Sequence, residues 1–340
     1  MSRPRATIED VARRAGLSIK TVSRVLNGEP NVRPQTRERV LTAAREFDYQ
    51  PNVSARRLAS KRSFVIGLLY DNPDSEYVMA IQEGALGVCR TRDYHLLIYP
   101  CRVLAPSLVD EALSLHRRST VDGLILPQPV SDFPPLIDAL IEAGVVFVRI
   151  SQREVAGDSP WVSVDDEQAA CRMTDHLISL GHSRIGFIMG HPDHGSSHDR
   201  LRGFRASLLA NGLAPDLAPI EQGRYTFDSG YACAQRLLAM DPRPTAIFAS
   251  DDHMAMGVLT AAYERKLAIP GDLSVCGFDD TPMARYVWPP LTTARQPVTE
   301  VARVASECLL DRLQGREAGP TRYTLQSHLV LRGSTAPPSP

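Results

Sequence analysis

Residues 7–28 read TIEDVARRAGLSIKTVSRVLNG and contain the start and stop signals of two short helices. Thr7, with an acidic residue three positions on, is typical of a capped helix start. Gly16 can adopt the positive φ that ends a helix, and Ser18 is placed to cap the next one. Two short helices joined by a glycine-containing turn predict a helix-turn-helix.

The second of these helices has two different faces at 3.6 residues per turn. One face is apolar at the spacing of a buried stripe: Ile19, Val22, Val25 and Leu26. The other is polar and has no carboxylate: Lys20, Ser23, Arg24 and Asn27. In a helix-turn-helix the second helix enters the major groove of DNA, with its first residues at the base edges. Lys20 and Arg24 can hydrogen-bond guanine, Ser23 can reach a phosphate or base, and Ile19 can meet a thymine methyl.

A third helix and a basic segment follow. Pro34 suits a first helical position, and Val40, Ala44 and Phe47 are expected to complete a small core. Residues 49–63 read YQPNVSARRLASKRS.

Within that basic segment, Asn52 could cap a short helix over 53–59 that has almost nothing apolar to bury by itself. Leu58 lies among Arg56 and other basic residues, an arrangement that suits a wedge in the minor groove. On its own, the segment is equally compatible with a basic linker.

The charge distribution supports nucleic-acid binding at one end of the chain. The net charge is −1, but residues 1–62 carry 14 Lys and Arg against 6 Asp and Glu, while the remaining residues carry 24 against 33. A basic head on an acidic body is the charge pattern of a protein that holds nucleic acid with its head.

Other features of the composition exclude several classes of protein. The 340 residues contain no apolar run long enough for a membrane helix, and the start MSRPRATIED has no signal-peptide core. We therefore expect a cytoplasmic protein without a membrane partner. The six cysteines are scattered without a C-x-x-C pair, so no disulfide framework, metal site or cofactor is predicted.

From Phe64 onward, apolar runs alternate with segments of helical period. FVIGLLY, HLLIYP, GLILP and VVFVRI form one series, and RIGFIM, TAIFAS and LSVCGF form a second. Continuous apolar strands between helices predict parallel sheets covered on both faces. Two such units make a bilobed α/β domain that binds a ligand between its lobes, at the carboxyl ends of the strands.

The predicted domains are a helix-turn-helix domain over 1–50, a hinge helix or linker over 51–62, and a ligand-binding and dimerisation domain over 63–340. The first lobe is expected at about 63–163 and 295–322, and the second at about 164–294 and 323–340.

Polar side chains follow the strands of the second series. Asp251 and Asp279 come after two strands, while Ser196 and Arg200 come after a third. Carboxylates and an arginine that converge on one cleft can bind vicinal hydroxyls. For the neighbouring Asp252 and Asp280, capping of the next helix is the favoured interpretation.

Enzymatic interpretations find little support. No phosphate-binding glycine loop is present, and the paired aspartates lack a nucleophile or an evident metal. The strongest alternative interpretation is a metal site in HPDHGSSHD, where His191, His194 and His198 have plausible metal-ligand spacing. Because they follow a strand as a loop, they are expected to be exposed or next to a ligand instead. We predict neither catalytic residues nor a metal site.

The head, with TIEDVARRAGLSIKTVSRVLNG and RERVLTAAREFDYQPNVSARRLA, resembles the LacI/GalR family of bacterial transcriptional repressors. The resemblance places Ile19, Lys20 and Arg24 at the principal base-reading positions, Leu58 at an intercalating leucine, and Ala55 and Arg56 beside it. The residues predicted to contact DNA are Thr7, Ser18, Ile19, Lys20, Thr21, Ser23, Arg24, Asn27, Asn52, Ala55, Arg56 and Leu58.

The body is similar to the effector domain of the same family through GHSRIGFIMG, RPTAIFASDD, DLSVCGFDDT and PPLTTARQP. The residues that match its effector contacts are Ser196, Arg200, Tyr225, Asp251, Asp279 and Gln296, with Tyr77 and Arg149 matching more loosely. The family usually has Asn at the position of Asp251, so an acceptor-only group replaces an amide.

The resemblance implies a repressor of a carbohydrate-utilisation operon, regulated by a sugar or glycoside in the cleft. A single three-helix head makes few contacts, so we expect a homodimer on a palindromic double-stranded operator. The alternatives are regulation by a protein partner or by a purine-type corepressor, for which Tyr225 could stack a base.

Overall fold

The computed structural model describes residues 6–26, 32–49, 62–72, 74–118, 120–150, 159–316 and 319–339. The chain divides into two compact units, residues 1–63 and 64–340. The predictions at Asn27 and at the hinge residues Asn52, Ala55, Arg56 and Leu58 lie outside the described residues.

The first unit contains helices α1 (Ile8–Ala15), α2 (Ile19–Leu26) and α3 (Pro34–Glu46). The local signals form as expected. Thr7 and Asp10 make a reciprocal capping box, and Gly16 ends α1 at φ 63°. Ser18 Oγ accepts a hydrogen bond of 3.2 Å from the Thr21 amide at the start of α2.

The core of this unit differs from the expectation at two positions. Val22, Val25, Val40 and Ala44 are buried as predicted. Phe47 is 42% exposed, because α3 ends at Glu46 and Phe47 is already its C-cap residue, while Tyr49 packs against the core. Ile19 is 47% exposed and so lies outside the buried stripe of α2.

The first lobe of the second unit is built on a six-stranded parallel sheet. Its strands in chain order are β1 (Val65–Tyr70), β2 (His95–Pro100), β3 (Gly123–Pro127), β4 (Val146–Ile150), β5 (Trp161–Val164) and, much later, β11 (Arg322–Leu325). They lie in the order β11-β5-β4-β3-β1-β2. The helices are α4 (Ser75–Thr91), α5 (Leu108–Arg117), α6 (Pro134–Glu142) and α12 (Val298–Leu313). Two apolar clusters, one on each face, join the sheet to these helices.

The second lobe is built on a parallel sheet in the order β7-β6-β8-β9. Its strands are β6 (Ile185–Met189), β7 (Ile220–Gln222), β8 (Ala246–Ala249) and β9 (Ser274–Cys276), and its helices are α7 (Asp166–Ser179), α8 (Gly195–Ala210), α9 (Phe227–Leu238), α10 (Asp252–Glu264) and α11 (Met283–Tyr286). Strands β10 (Thr293–Arg295) and β12 (His328–Val330) form an antiparallel pair. Apolar clusters again cover both sheet faces.

The predicted fold class, a helix-turn-helix unit followed by a bilobed α/β unit, is confirmed. The expected lobe boundary near residue 322 is too early, because β11 pairs with β5 in the first sheet and the chain returns to the second lobe only after Leu325. Within the described ranges, no helix is both long and apolar enough to cross a membrane.

Candidate functional site

Helix α2 presents a polar surface on the first unit. Ser18, Ile19 and Lys20 are exposed at its start, and Ser23 and Arg24 are half-buried one turn later. The hydroxyls of Ser18 and Thr21 lie 2.9 Å apart, so these two residues shape the helix start. Thr7 is exposed but is engaged in its capping box with Asp10. The arrangement leaves Ile19 and Lys20 as the most accessible side chains of α2 at its amino end.

A cleft of about 570 Å³, its open mouth included, lies at the carboxyl ends of the strands of both lobes. Its lining comprises Asn72, Asp74, Tyr77, Gln128, Ile150, Val162, Ser163, Val164, Asp166, His194, Ser196, Arg200, Tyr225, Asp251, Asp279 and Gln296. Seven of these were predicted from the sequence: Tyr77, Ser196, Arg200, Tyr225, Asp251, Asp279 and Gln296. Parallel strands all end at the same edge of their sheet, which brings these distant residues together.

Arg200, in the second turn of α8, is the central cation of the cleft. Its Nε donates to Asp166 Oδ1 at 2.6 Å, its Nη1 donates to the Ser250 carbonyl, and its Nη2 lies 3.8 Å from Asp279 Oδ1. The guanidinium stacks over the Phe278 ring at 3.7 Å. These contacts fix the orientation of the buried guanidinium before any ligand binds.

Asp166 was not predicted as a site residue, although it holds Arg200. It follows β5 in the sequence WVSVDD, and a carboxylate at a strand end is the same signal that identified Asp251 and Asp279. Asp166 was not identified from this signal, because its segment connects the first lobe to the second.

Asp279 occupies a turn with two consecutive positive φ angles, 112° at Asp279 and 56° at Asp280. Its amide donates to the Ala294 carbonyl at 2.7 Å, and its carboxylate accepts from Gln296 Nε2. Burial raises the pKa of Asp279 well above its usual range, although Arg200 opposes the shift. The turn therefore holds a carboxylate at the cleft wall, where it is costly to charge without a partner.

Asp280 does not cap a helix, contrary to the expectation. Its buried carboxylate forms ion pairs with Arg295, at 2.6 Å, and with Arg332. The Arg285 guanidinium lies 3.6 Å from the same carboxylate. The tight turn directs it away from the cleft and towards these arginines.

Asp251, rather than Asp252, is the N-cap of α10. Its Oδ1 accepts from the Met254 amide at 2.8 Å, and its Oδ2 accepts no hydrogen bond from the described residues. That second oxygen lies 3.7 Å from His253 Nδ1. The expected capping role of Asp252 is therefore wrong. Its carboxylate instead accepts from the Thr281 amide at 2.7 Å and the Thr293 hydroxyl at 2.6 Å.

Tyr225 lines the second-lobe side of the cleft. Its backbone has a φ of 60°, and its hydroxyl lies 3.3 Å from Ser196 Oγ. Its ring lies against Gly190, where an added Cβ would come within 1.9 Å of the ring. The His194 ring is 5.4 Å away, and burial lowers the pKa of His194 to about 4. Tyr225 and a neutral His194 thus form an aromatic wall of the cleft.

The histidine cluster takes different roles from a metal site. His194 lines the cleft, while His198 Nε2 lies 2.8 Å from the Pro192 carbonyl. Across the part of the chain that the structure describes, no group of three His, Cys, Asp or Glu side chains is arranged to hold a metal ion.

Arg149 is predicted as a site residue but does not line the cleft. It is 2% exposed within β4, and its Nε donates to Ser159 Oγ at 3.1 Å. Burial lowers its pKa. Its side chain belongs to the interior of the first lobe, because Ile150 is the residue of β4 that reaches the cleft.

The first lobe supplies polar residues that sequence reasoning missed. Asp74 caps α4 by accepting from the amides of Glu76 and Tyr77, at 2.9 and 3.1 Å. Gln128 follows β3, and its buried Nε2 has no hydrogen-bond partner in the described part of the chain. Both had a strand-end signal, but only the packing of the two lobes shows that they face the same space.

Residues 7–52 match the bacterial regulatory proteins of the lacI family, and residues 174–335 match the periplasmic binding protein-like domain. The chain is 33% identical to catabolite control protein A of Priestia megaterium, covering 97% of this chain and 99% of that protein. Among solved structures, a transcriptional regulator CelR–cellobiose complex is 31% identical with a TM-score of 0.75, covering 98% of this chain and 100% of that one. The lac repressor dimer bound to operator and the anti-inducer ONPF is 29% identical with a TM-score of 0.73, covering 98% of this chain and 100% of that one.

The chain belongs to the LacI family of bacterial transcriptional regulators. It joins a DNA-binding helix-turn-helix domain to an effector-binding domain of the periplasmic-binding-protein type.

Proposed function

We propose that this protein is a repressor that binds a palindromic operator as a homodimer and is regulated by a sugar or glycoside in the cleft. The observation that carries the proposal is the polar lining of the cleft, in which Arg200 is held between Asp166 and Asp279. A guanidinium next to carboxylates offers donors and acceptors in the forked geometry that vicinal hydroxyls match. The cellobiose complex of the related CelR supports a carbohydrate as the ligand.

On the DNA side, we assign base reading to the start of α2. Lys20 and Arg24 would donate to guanine, and the exposed Ile19 would contact a thymine methyl. The 47% exposure of Ile19 supports this role, since an isoleucine of that exposure is not needed for the core. The operator-bound dimer of the related lac repressor supports two heads on two half-sites.

The cleft offers a physical link between the ligand and the conformation of the domain. Gln128 and Asp74 belong to the first lobe, whereas Arg200, Asp251 and Asp279 belong to the second. A ligand that bonds both sets favours a closed arrangement of the lobes, and its binding free energy is the only source of the change. Closure then alters the dimer geometry that presents the two heads to DNA.

The proposal is tested by operator binding in the presence of a sugar panel. Full-length protein is titrated onto DNA from the region upstream of its own gene and its neighbours, by fluorescence anisotropy at fixed salt, because salt alone changes such affinities strongly. We expect one sugar or glycoside to change the operator Kd at least about tenfold, as expected for a typical allosteric coupling.

Weaker operator binding in that assay identifies an inducer, and tighter binding identifies a corepressor. A nucleobase that acts where all sugars fail would replace the sugar proposal with purine-type regulation. Binding that no small molecule changes would leave regulation by a protein partner. Absence of sequence-preferring DNA binding would contradict the operator part of the proposal.

A further inference from the structure

Three carboxylates face one another across the cleft. Asp74 comes from the first lobe, and Asp251 and Asp279 come from the second. Burial raises the pKa of both Asp251 and Asp279, and the charge of Asp74 raises each of them further. Effects of this sign arise when like charges share a space without enough cations between them.

The cations near these carboxylates are already engaged. Arg200 is hydrogen-bonded to Asp166 and to the Ser250 carbonyl, and only its Nη2 approaches Asp279, at 3.8 Å. His253 lies 3.7 Å from Asp251, where the carboxylate raises its pKa to about 9. His194 is neutral at pH 7, since burial lowers its pKa to about 4.

The charged lining within the described residues is therefore acidic. Four aspartates, Asp74, Asp166, Asp251 and Asp279, stand against Arg200, with His253 behind Asp251. When these carboxylates are ionised, the excess of negative charge lies where the two lobes meet.

Among the residues that the structure describes, two buried polar atoms at the cleft lack hydrogen-bond partners. Asp251, 1% exposed, has an Oδ2 whose ion-pair partner, His253 Nδ1, lies 3.7 Å away, beyond normal hydrogen-bond distance, and Gln128, 7% exposed, has an Nε2 that needs an acceptor. Buried groups of this kind are normally satisfied, and both residues line the cleft. A ligand that fills it can therefore satisfy both groups by placing a donor beside Asp251 and a hydroxyl oxygen beside Gln128.

Resting on the proposed function, we propose that the sugar bound here carries a basic nitrogen, so that the effector is an amino sugar whose ammonium lies among Asp74, Asp251 and Asp279. Closing the lobes on these carboxylates removes water from them, which is costly unless a cation compensates. An ammonium supplies both the charge and three donors, whereas a hydroxyl supplies one donor and no charge. The ring hydroxyls are then available to Gln128 and Arg200.

Isothermal titration calorimetry of the full-length protein against matched sugars tests the inference. The panel consists of D-glucosamine, D-galactosamine and D-mannosamine, their neutral parent hexoses, and their N-acetyl derivatives, which keep the nitrogen but lose its charge. We expect one amine to bind at least about tenfold more tightly than its parent and its acetyl form, since a charge-assisted hydrogen bond exceeds a neutral one.

Asp251→Asn keeps a helix-capping side chain but removes the charge. It should weaken binding of the amine about 10- to 100-fold, which is at least about tenfold more than it weakens binding of the neutral parent. Asp74→Asn provides an independent test from the opposite lobe with the same expected direction. Asp193→Asn, an exposed carboxylate outside the lining, is the matched control and should change neither affinity. Operator binding by each variant verifies that it is folded.

Neutral hexoses that bind as tightly as their amines, or an unchanged amine affinity in Asp251→Asn and Asp74→Asn, would overturn the amino-sugar inference and leave the proposed function intact. If no sugar of either kind binds, the inference and the sugar part of the proposed function both fail. The operator-binding assay then tests the DNA-binding part of the proposed function separately.

Discussion

At the scale of single residues, the cleft depends on Arg200 and its partners. A guanidinium buried beside Phe278 is stable there because Asp166 and the Ser250 carbonyl both accept from it. Removing one partner of such a buried pair typically costs about 3–5 kcal/mol, because the other charge is left uncompensated. The arginine is therefore part of the folded lobe as well as a proposed ligand contact, and milder changes around it are the better probes.

His253 gives a prediction about pH. The Asp251 carboxylate raises the pKa of His253 from 6.5 to about 9, with smaller contributions from Asp74 and Asp279 and with burial opposing. A raised pKa in the folded state means that the pair stabilises the fold fully below pH 6.5 and that this stabilisation is lost as the pH rises through about 9. Thermal unfolding of the wild type and of His253→Asn should show a Tm difference that shrinks from pH 6 to pH 9.5. A difference independent of pH would contradict the pairing.

Arg24 gives a prediction about base reading. Arg24→Ala should weaken binding to the cognate operator by about 1–3 kcal/mol and relax the preference at one base pair in each half-site. Anisotropy titrations on the operator and on single-base variants measure both effects. The control is Arg13→Ala, an exposed arginine of α1 that pairs with Asp10. An equal loss on every DNA sequence would place Arg24 at a phosphate instead.

At the scale of elements, the turns after the strands aim the site residues. The turn after β9 holds Asp279 and Asp280 at positive φ, a conformation that costs a non-glycine residue of order 1 kcal/mol or more. The Asp280 carboxylate, held by Arg295 and Arg332, offsets that cost. The same turn thus places Asp279 at the cleft, and the ion pairs of Asp280 hold the turn in place.

Gly190, in the turn after β6, gives a prediction about the steric fit of the Tyr225 ring. Gly190→Ala would place a methyl 1.9 Å from the Tyr225 ring, so the ring must leave its position beside Ser196. We expect this variant to bind operator normally but to bind the effector at least about tenfold more weakly, as for a lost aromatic wall and a lost hydrogen bond.

Calorimetry and operator titration test the Gly190 prediction together. Gly212→Ala is the matched control, because Gly212 has open space around its Cβ position, although its φ of 74° adds backbone strain that should affect stability alone. Wild-type effector affinity in Gly190→Ala would show that Tyr225 does not contribute to binding.

At the scale of the whole molecule, the two lobes of the effector domain share one site. Each sheet is covered by helices on both faces, so each lobe has its own core. The proposed ligand contacts lie on both sides of the cleft, and a conformational change follows only from a difference in binding between the open and closed forms.

Asp279→Asn tests the coupling between the lobes and the operator. Asparagine tolerates positive φ and keeps the shape of the side chain, but it loses the charge that faces Arg200. The variant should bind operator like the wild type and lose the response to effector, with the effector Kd raised about tenfold or more. Asp228→Asn, an exposed carboxylate at the start of α9, is the control. A normal response in Asp279→Asn would remove this residue from the effector site.

Much of this fold could be predicted because its signals are local. The capping box at Thr7, the positive φ at Gly16 and the cap at Ser18 each involve residues within a few positions of one another, and they form as expected. Four cleft residues, Ser196, Arg200, Asp251 and Asp279, were also predicted from the pattern, since a polar residue after an apolar parallel strand has a defined position at the sheet edge, while Tyr77, Tyr225 and Gln296 were predicted from the family resemblance.

The remaining features depend on contacts between residues far apart in the chain. Asp252 and Asp280 have the sequence context of helix caps, yet their partners, Thr293 and Arg332, lie 41 and 52 residues away. Asp166 reaches Arg200 only because α7 and α8 pack together, and Gln128 faces Asp251 only because two separate sheets meet at one cleft. The linear sequence therefore specified the helices, the strands and the edge at which a ligand binds. Which polar side chains meet there, and which are left without a partner, was decided by the tertiary structure, because hydrogen bonds and ion pairs require a proximity that sequence spacing does not express.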